Sequence, residues 1–336
     1  MSIFSFLGIR ILLFSFVLLP LAPTPPAPTN DSPNGAGLPN IQSLLHTANV
    51  DAALRDLDAR IQQDQKNALA HNVTCRLYFQ LEHWDEAIQA CEKAIGLDPQ
   101  NSEYHEWMGR SYGLKAENVG ALKAFSLVRK VKAEFERAVS LGNDNVMAHA
   151  DLAEFYVEAP SFMGGDKSKA RKLAEAVMRR DPAEAHYMLG RLEEKLGAKN
   201  KAETEFRAAA EASGNLAHYW VDLAGFYRRS GRLNDMESTV NRAREARLDN
   251  GIALFDAATL LLQAGRNFPA AIQMFQQYLA LDKFPEDGPA FRAHYRLGLL
   301  FEKQGAVQDA AREYRASLAL ASRYRPAKDA LARVSR

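Results

Sequence analysis

Little in this chain of 336 residues offers a direct handle on chemistry. It has only two cysteines, too few for a disulfide framework or a cysteine-rich metal site. Charge of one sign is also missing: 42 Lys and Arg against 41 Asp and Glu leave a net of +1. Acids and bases are interleaved, so no basic block stands ready to release counterions from a nucleic acid, and none suggests a polybasic membrane patch. Long apolar runs are absent but for residues 11–19 (ILLFSFVLL), well short of the roughly 20 residues a spanning helix needs.

That run has the character of a secretory signal, with Arg10 before it and Pro20-Leu21-Ala22 after it. The expectation is a signal or anchor over 1–22 and an exported protein, periplasmic or secreted. Pro23 and Pro28 follow the two candidate cleavage alanines, Ala22 and Ala27, and hinder a peptidase; an uncleaved signal holding the chain at the membrane is the rival. No cysteine nearby supports lipidation. Residues 23–40 are Pro, Asn, Gly and Thr without apolar period, an extended tether.

From Ile41 onward the pattern is helical. In 217–250, Trp220, Leu223, Ala224 and Tyr227 make one apolar stripe, Ser230-Gly231 a turn, and Met236, Val240 and Ala243 a second stripe. Two short helices with facing stripes form a hairpin that buries too little surface alone, so it needs copies stacked on both sides. The copies are present: Tyr78, Ala87, Cys91, Ala94 and Pro99; Trp107, Gly109, Tyr112, Phe135 and Ala138; Leu152, Ala153, Tyr156, Ala170, Ala174 and Pro182; Leu189, Gly190, Ala202, Phe206 and Ala209; Ala257, Ala258, Gly265, Ala271 and Phe275; Leu297, Gly298, Phe301, Gly305, Ala310 and Tyr314.

A large residue, a Leu, a small residue and a Tyr, then Ala, Phe, Ala and Pro, at a period of 34, resembles the tetratricopeptide repeat (TPR) family. The resemblance spans 41–336 and implies an all-α, right-handed superhelical solenoid. It divides into a worn N-terminal repeat (41–67), a seven-unit array (68–325) and a capping helix (326–336). Extra residues near 114–130 and 159–169 depart from the period; they are expected to form adjacent surface loops that add contact area. That pair is similar to a group of exported bacterial repeat proteins of unsettled activity, which bears on location more than function.

Gly109-Arg110-Ser111-Tyr112-Gly113 matches the G-x-S-x-G elbow of serine hydrolases. The motif carries chemistry only on a strand-to-helix turn. Here Gly109 and Tyr112 hold repeat positions within a helix, so catalysis at Ser111 is a remote alternative and the chain is read as no enzyme, with no cofactor. His71, His105, His149, His186 and His294 stand fourth in their units, where Trp220 stands in 217–250. This predicts packing between neighbouring hairpins and no metal site, since stacked units hold successive rings about 10 Å apart. Cys75 and Cys91 occupy facing slots of one hairpin and are expected to bridge in an oxidising compartment. The sequons at Asn30 and Asn72 are chance matches.

Stacked hairpins offer a concave side lined by their first helices. The residues expected there, open to a protein or peptide partner, are Asn72, Arg76, Phe79, Glu106, Arg110, Glu154, Tyr187, Arg191, Glu194, Arg228, Phe255 and Tyr295. Arg and aromatic residues suit such contacts. On this footing Arg110→Glu with Arg191→Glu should abolish capture without lowering the melting temperature. The Lys and Asn set that chaperone-binding family members use for a C-terminal carboxylate is missing. The sequence thus predicts an exported interaction scaffold, with an assembly factor of an envelope complex (cytochrome or pilus biogenesis) as alternative. Nucleic acid and metal are excluded as partners, and a membrane enters only through the N-terminus.

Overall fold

A computed structural model describes residues 40–248 and 250–335; the signal, most of the tether and the Asn30 sequon lie outside them. A 3-10 turn at Ile41–His46 and helix α1 (Val50–Gln63) open the described chain. Seven hairpins follow: α2 (Ala68–Gln80) with α3 (Trp84–Leu97), α4 (Ser102–Glu117) with α5 (Ala121–Leu141), and α6 (Val146–Glu158) with α7 (Lys167–Val177). Next come α8 (Pro182–Lys195) with α9 (Lys199–Ala212), α10 (Ala217–Arg229) with α11 (Leu233–Glu245), α12 (Ile252–Ala264) with α13 (Phe268–Leu279), and α14 (Ala290–Lys303) with α15 (Val307–Leu320). Helix α16 (Arg325–Val334) covers the last hairpin. Among the described residues the only extended pairing is an isolated bridge between Leu216 and Arg247.

Local chemistry sets the boundaries. Asn67, Asn101, Asn145 and Asp181 cap α2, α4, α6 and α8, each side chain accepting from an N–H of the first turn. Gly197, Gly231, Gly265 and Gly305 sit between the two helices of their hairpins with φ of 66 to 79°, the left-handed turn that glycine adopts without a Cβ clash.

Within the hairpins, the first-helix glycines make room for the second-helix rings. A Cβ on Gly109 would fall 2.5 Å from Phe135, on Gly190 3.0 Å from Phe206, and on Gly298 2.5 Å from Tyr314. This explains Gly109 without a catalytic turn. Ser111 is fully buried, donates to the Trp107 carbonyl at 2.8 Å and touches Cys75 Sγ; among the described residues no acid or imidazole is bonded to it.

The first insertion is mostly helix, correcting the expected loop, while the second keeps a turn that ends in the Asp166 helix cap. The first lengthens α5 to 21 residues. The second forms a 3-10 turn at Ser161–Met163, then Gly164 at φ 101° and Gly165, which lies so close to the Ala159 carbonyl that a Cβ has no space. This turn leans on α5, where Gly164 meets the Lys132 side chain.

The array closes on itself. Phe291, Ala321, Tyr324 and Ala327 share one apolar cluster with Leu44, Leu45, Val50, Leu57, Val73, Leu77 and Leu81. Asp51 accepts from the Ser322 N–H, His46 approaches the Phe284 carbonyl at 3.0 Å, and Arg323 reaches Glu86.

Candidate functional site

The concave wall is built by positions two, five, six, nine and twelve of each first helix. Most of the residues expected to lie open there are covered. Asn72, Phe79, Glu106, Arg110, Glu154, Tyr187, Arg191 and Phe255 are buried, and Arg76, Glu194, Arg228 and Tyr295 are partly buried. The physical reason is packing within and between adjacent hairpins, where Tyr187 meets Phe206, Phe255 meets Phe275 and Tyr278, and Phe79 meets Trp84 and Trp107; the closing end adds Glu286 on Arg76.

Charge is paired along this wall. Arg76 donates to Glu286 through Nε at 2.8 Å and through a second, shorter contact, and also reaches Glu103. Arg110 bonds Asp151 at 2.6 Å and lies 2.9 Å from Glu106. Trp107 is held between these guanidinium groups, 4.7 and 4.6 Å from its centroid. Arg191 gathers Glu154 at 2.6 Å, Glu194 at 2.9 Å and Glu158 at 3.1 Å. Glu286 and Asp287 belong to the segment between α13 and α14, which supplies acid to the arginines of α2 and α4.

These placements overturn the expectation that Arg110→Glu with Arg191→Glu leaves stability untouched. Both arginines are buried against carboxylates, so reversal sets like charges together in a low-dielectric interior.

Acid exceeds base in the middle of the wall. Burial raises the Glu106 carboxyl to about 7 despite Arg110 beside it. Glu184 of α8 is driven well above the usual carboxylate range, first by burial and then by Asp181, Asp222, Asp151 and Glu154. Both of its oxygens lack a hydrogen-bond partner, as do the side-chain amides of Asn72 and Gln80 on α2. Asp151, Glu184 and Glu286 were missed from the sequence. Asp151, Asp222 and Asp256 all stand sixth in their units, so the period itself held that signal; nothing local marked Glu286.

The histidines also take a different role from the expected packing between hairpins. His105, His186 and His294 bond Glu134, Glu205 and Glu313 at 2.7, 2.7 and 2.8 Å. Each Glu directly precedes the aromatic anchor of the same hairpin's second helix, so the contact clamps a hairpin internally. His71 and His149, whose second helices carry no Glu there, instead contact the carbonyls of Gln65 and Asn145. Cys75 and Cys91 are joined, tying α2 to α3. At the start of α7, Asp166 accepts from the N–H groups of Ser168 and Lys169, Lys167 donates to the Val157 carbonyl, and Lys169 lies over Tyr156; this occupies the groups an anion would use.

Profiles described as tetratricopeptide repeat match residues 68–101, 164–217 and 255–325. None of the curated proteins matches in sequence. Similar solved structures include yeast Tom70, with a TM-score of 0.51 at 15% identity over 85% of this chain and 58% of that one. A thermophilic TPR protein of Thermus thermophilus aligns at 0.44 and 22% identity over 58% and 99% of the two chains. PilW, a type IV pilus biogenesis factor, aligns at 0.43 and 16% over 58% and 85%. At these identities the likeness speaks to fold alone.

Proposed function

This chain is a tetratricopeptide repeat protein, and from that premise we propose that it is an exported interaction scaffold holding a protein or peptide segment against the inner wall of its array. The observation that carries this reading is the set of unpartnered polar groups on that wall. Native interiors pair nearly all buried polar atoms, because an unmet donor or acceptor costs about 1–3 kcal/mol. Asn72, Gln80 and Glu184 have amide and carboxyl groups on α2 and α8 that meet no hydrogen-bond partner among the described residues. An incoming segment's backbone and side chains supply what they lack, and Glu184, ringed by acids, favours a donor or a cation.

Access requires the seam between α2 and α14 to part. That seam is held by Arg76 on Glu286, by Arg292 on the Gln80 carbonyl and by the apolar cluster around Phe291. Binding energy is spent on this opening, so the scaffold selects partners that repay it. Export rests on residues 11–19 and their flanks.

The test places a photo-crosslinking residue at Arg228 or Tyr295, half-buried on the wall, and another at the exposed Glu211 of α9. Irradiation in the native envelope should give a partner band from the wall positions alone. Equal labelling at all three positions, or none from the wall, would refute the proposal.

A further inference from the structure

Leu122 on the lengthened helix α5 and Phe162 on the 3-10 turn beside it are the two most exposed large apolar side chains among the described residues. Leu122 is 92% exposed and Phe125 44%, and Phe162, on the 3-10 turn that leans on α5, is 80% exposed. Ordinary second helices of this array have 11 to 14 residues; α5 has 21, so about 10 Å of extra helix is built to present this end. Hydrophobic side chains that gain nothing from the fold mark a surface that meets something else.

Over the first part of α5 the charge is one-sided, before Glu134 and Glu136 in its later turns. Lys123, Arg129, Lys130 and Lys132 lie on α5, and from residue 118 to residue 133 there is no Asp or Glu. At 100° per residue the buried side of α5 holds Ala124, Val128, Val131 and Phe135. Arg129 and Leu122 lie toward the opposite side, with Phe125 and Lys132 on one flank and Lys123 and Lys130 on the other. Lys123 and Arg129 form no ion pair among the described residues, Lys130 lies over the Tyr112 ring, and Lys132 is 3.7 Å from Glu136. The nearest acid in sequence before the helix is Glu117, at the end of α4. Because these cations alternate with apolar residues, the sequence alone shows no basic block; the helix distributes them around its outer half.

We propose that the outer face of α5, with Phe162 beside it, is a contact surface for an anionic lipid bilayer. Leu122, Phe125 and Phe162 enter the headgroup boundary, and the four cations sit at the level of the lipid phosphates, the arrangement by which interfacial helices hold membranes. Charge complementarity selects this occupant: a run of cations without acids suits a sheet of negative headgroups. A second copy of the chain would bring the same positive face to itself and be repelled. The surface stands apart from the concave wall, so the array can hold a partner while seated on the bilayer.

The full chain is used, with one reporter cysteine carrying a polarity-sensitive fluorophore. The native cysteines are bonded to each other and leave the new thiol as the target. Reporters are placed by Leu122→Cys, Phe162→Cys and, as control, Glu211→Cys. Vesicles of phosphatidylglycerol and phosphatidylcholine in equal parts should blue-shift and brighten the first two reporters and leave the third unchanged. Pure phosphatidylcholine should do little, and high salt should reverse the change. Lys123→Gln, Arg129→Gln and Lys130→Gln should each raise the lipid concentration for half effect roughly fivefold. Equal responses at all three reporters would mean attachment through residues 11–19 alone and would overturn the proposal. So would a shift without vesicles that grows with protein concentration, which assigns the face to a second copy, or no shift at all.

Discussion

Single residues show the opposing demands on this interior. Glu184 is fully buried without a partner, and its carboxyl is held well above the ordinary range, so folding favours the protonated form. The sign follows: stability is fully present below the unfolded value of about 4.3 and is lost as pH rises through the folded value. Glu106, raised to about 7, acts in the same direction. Glu184→Gln should therefore melt with the wild type near pH 4 and above it at pH 8, as thermal unfolding across that range would show; parallel curves would mean that Glu184 is ionised at no cost. The glycines make a second demand. Gly298→Ala should lose about 1–3 kcal/mol by driving a methyl into Tyr314. Gly96→Ala, in α3 with nothing within 4 Å, should gain up to about 1 kcal/mol. Urea denaturation of both variants separates contact with a ring from helix propensity.

Among the elements, the connection between α13 and α14 decides how the concave wall is covered. Repeats built only on the 34-residue period would leave Arg76 with Glu103 alone, whereas Arg110 has Glu106 and Asp151 of its own and the next hairpin. The inserted residues instead place Glu286 on Arg76, both side chains largely buried. Arg76→Met strands that carboxylate and Glu103, and should cost about 3–5 kcal/mol. Arg76→Met with Glu286→Met removes the stranded charge, and the double-mutant cycle should return a coupling of about 1–3 kcal/mol by denaturant titration. Additive effects would mean the pair is screened by water. The α2–α3 hairpin is secured differently, by the bond between Cys75 and Cys91, at the unit that meets both the worn first repeat and the closing end.

For the whole molecule the consequence is long-range. In an open stack each hairpin feels only its neighbours. Here Tyr324 packs on Phe291 and Tyr295 and shares an apolar cluster with α1 and α2, more than 240 residues earlier. Tyr324→Ala should therefore raise amide hydrogen exchange in α1 and α2 as well as in α14 to α16, while α8 to α11 keep their protection. Change confined to the C-terminal helices would indicate an array whose ends act independently.

What the chain's own order of residues determined is the unit. Trp, Leu, Gly and Tyr at helical spacing, Asn caps and turn glycines are local instructions, so the helical hairpins and their repeat arrangement were legible. Cys75 and Cys91, placed in facing slots of one hairpin, were legible for the same reason. Tertiary structure alone decided which faces meet. A small rotation per repeat, summed over seven units, brings α14 and α16 against α2. No short-range pattern encodes that sum; Phe79, Tyr187 and Phe255, expected at an open groove, lie in the core because rings of their own or the adjacent hairpin cover them. The same summation explains Glu286, an acid in an unremarkable turn until closure sets it on Arg76.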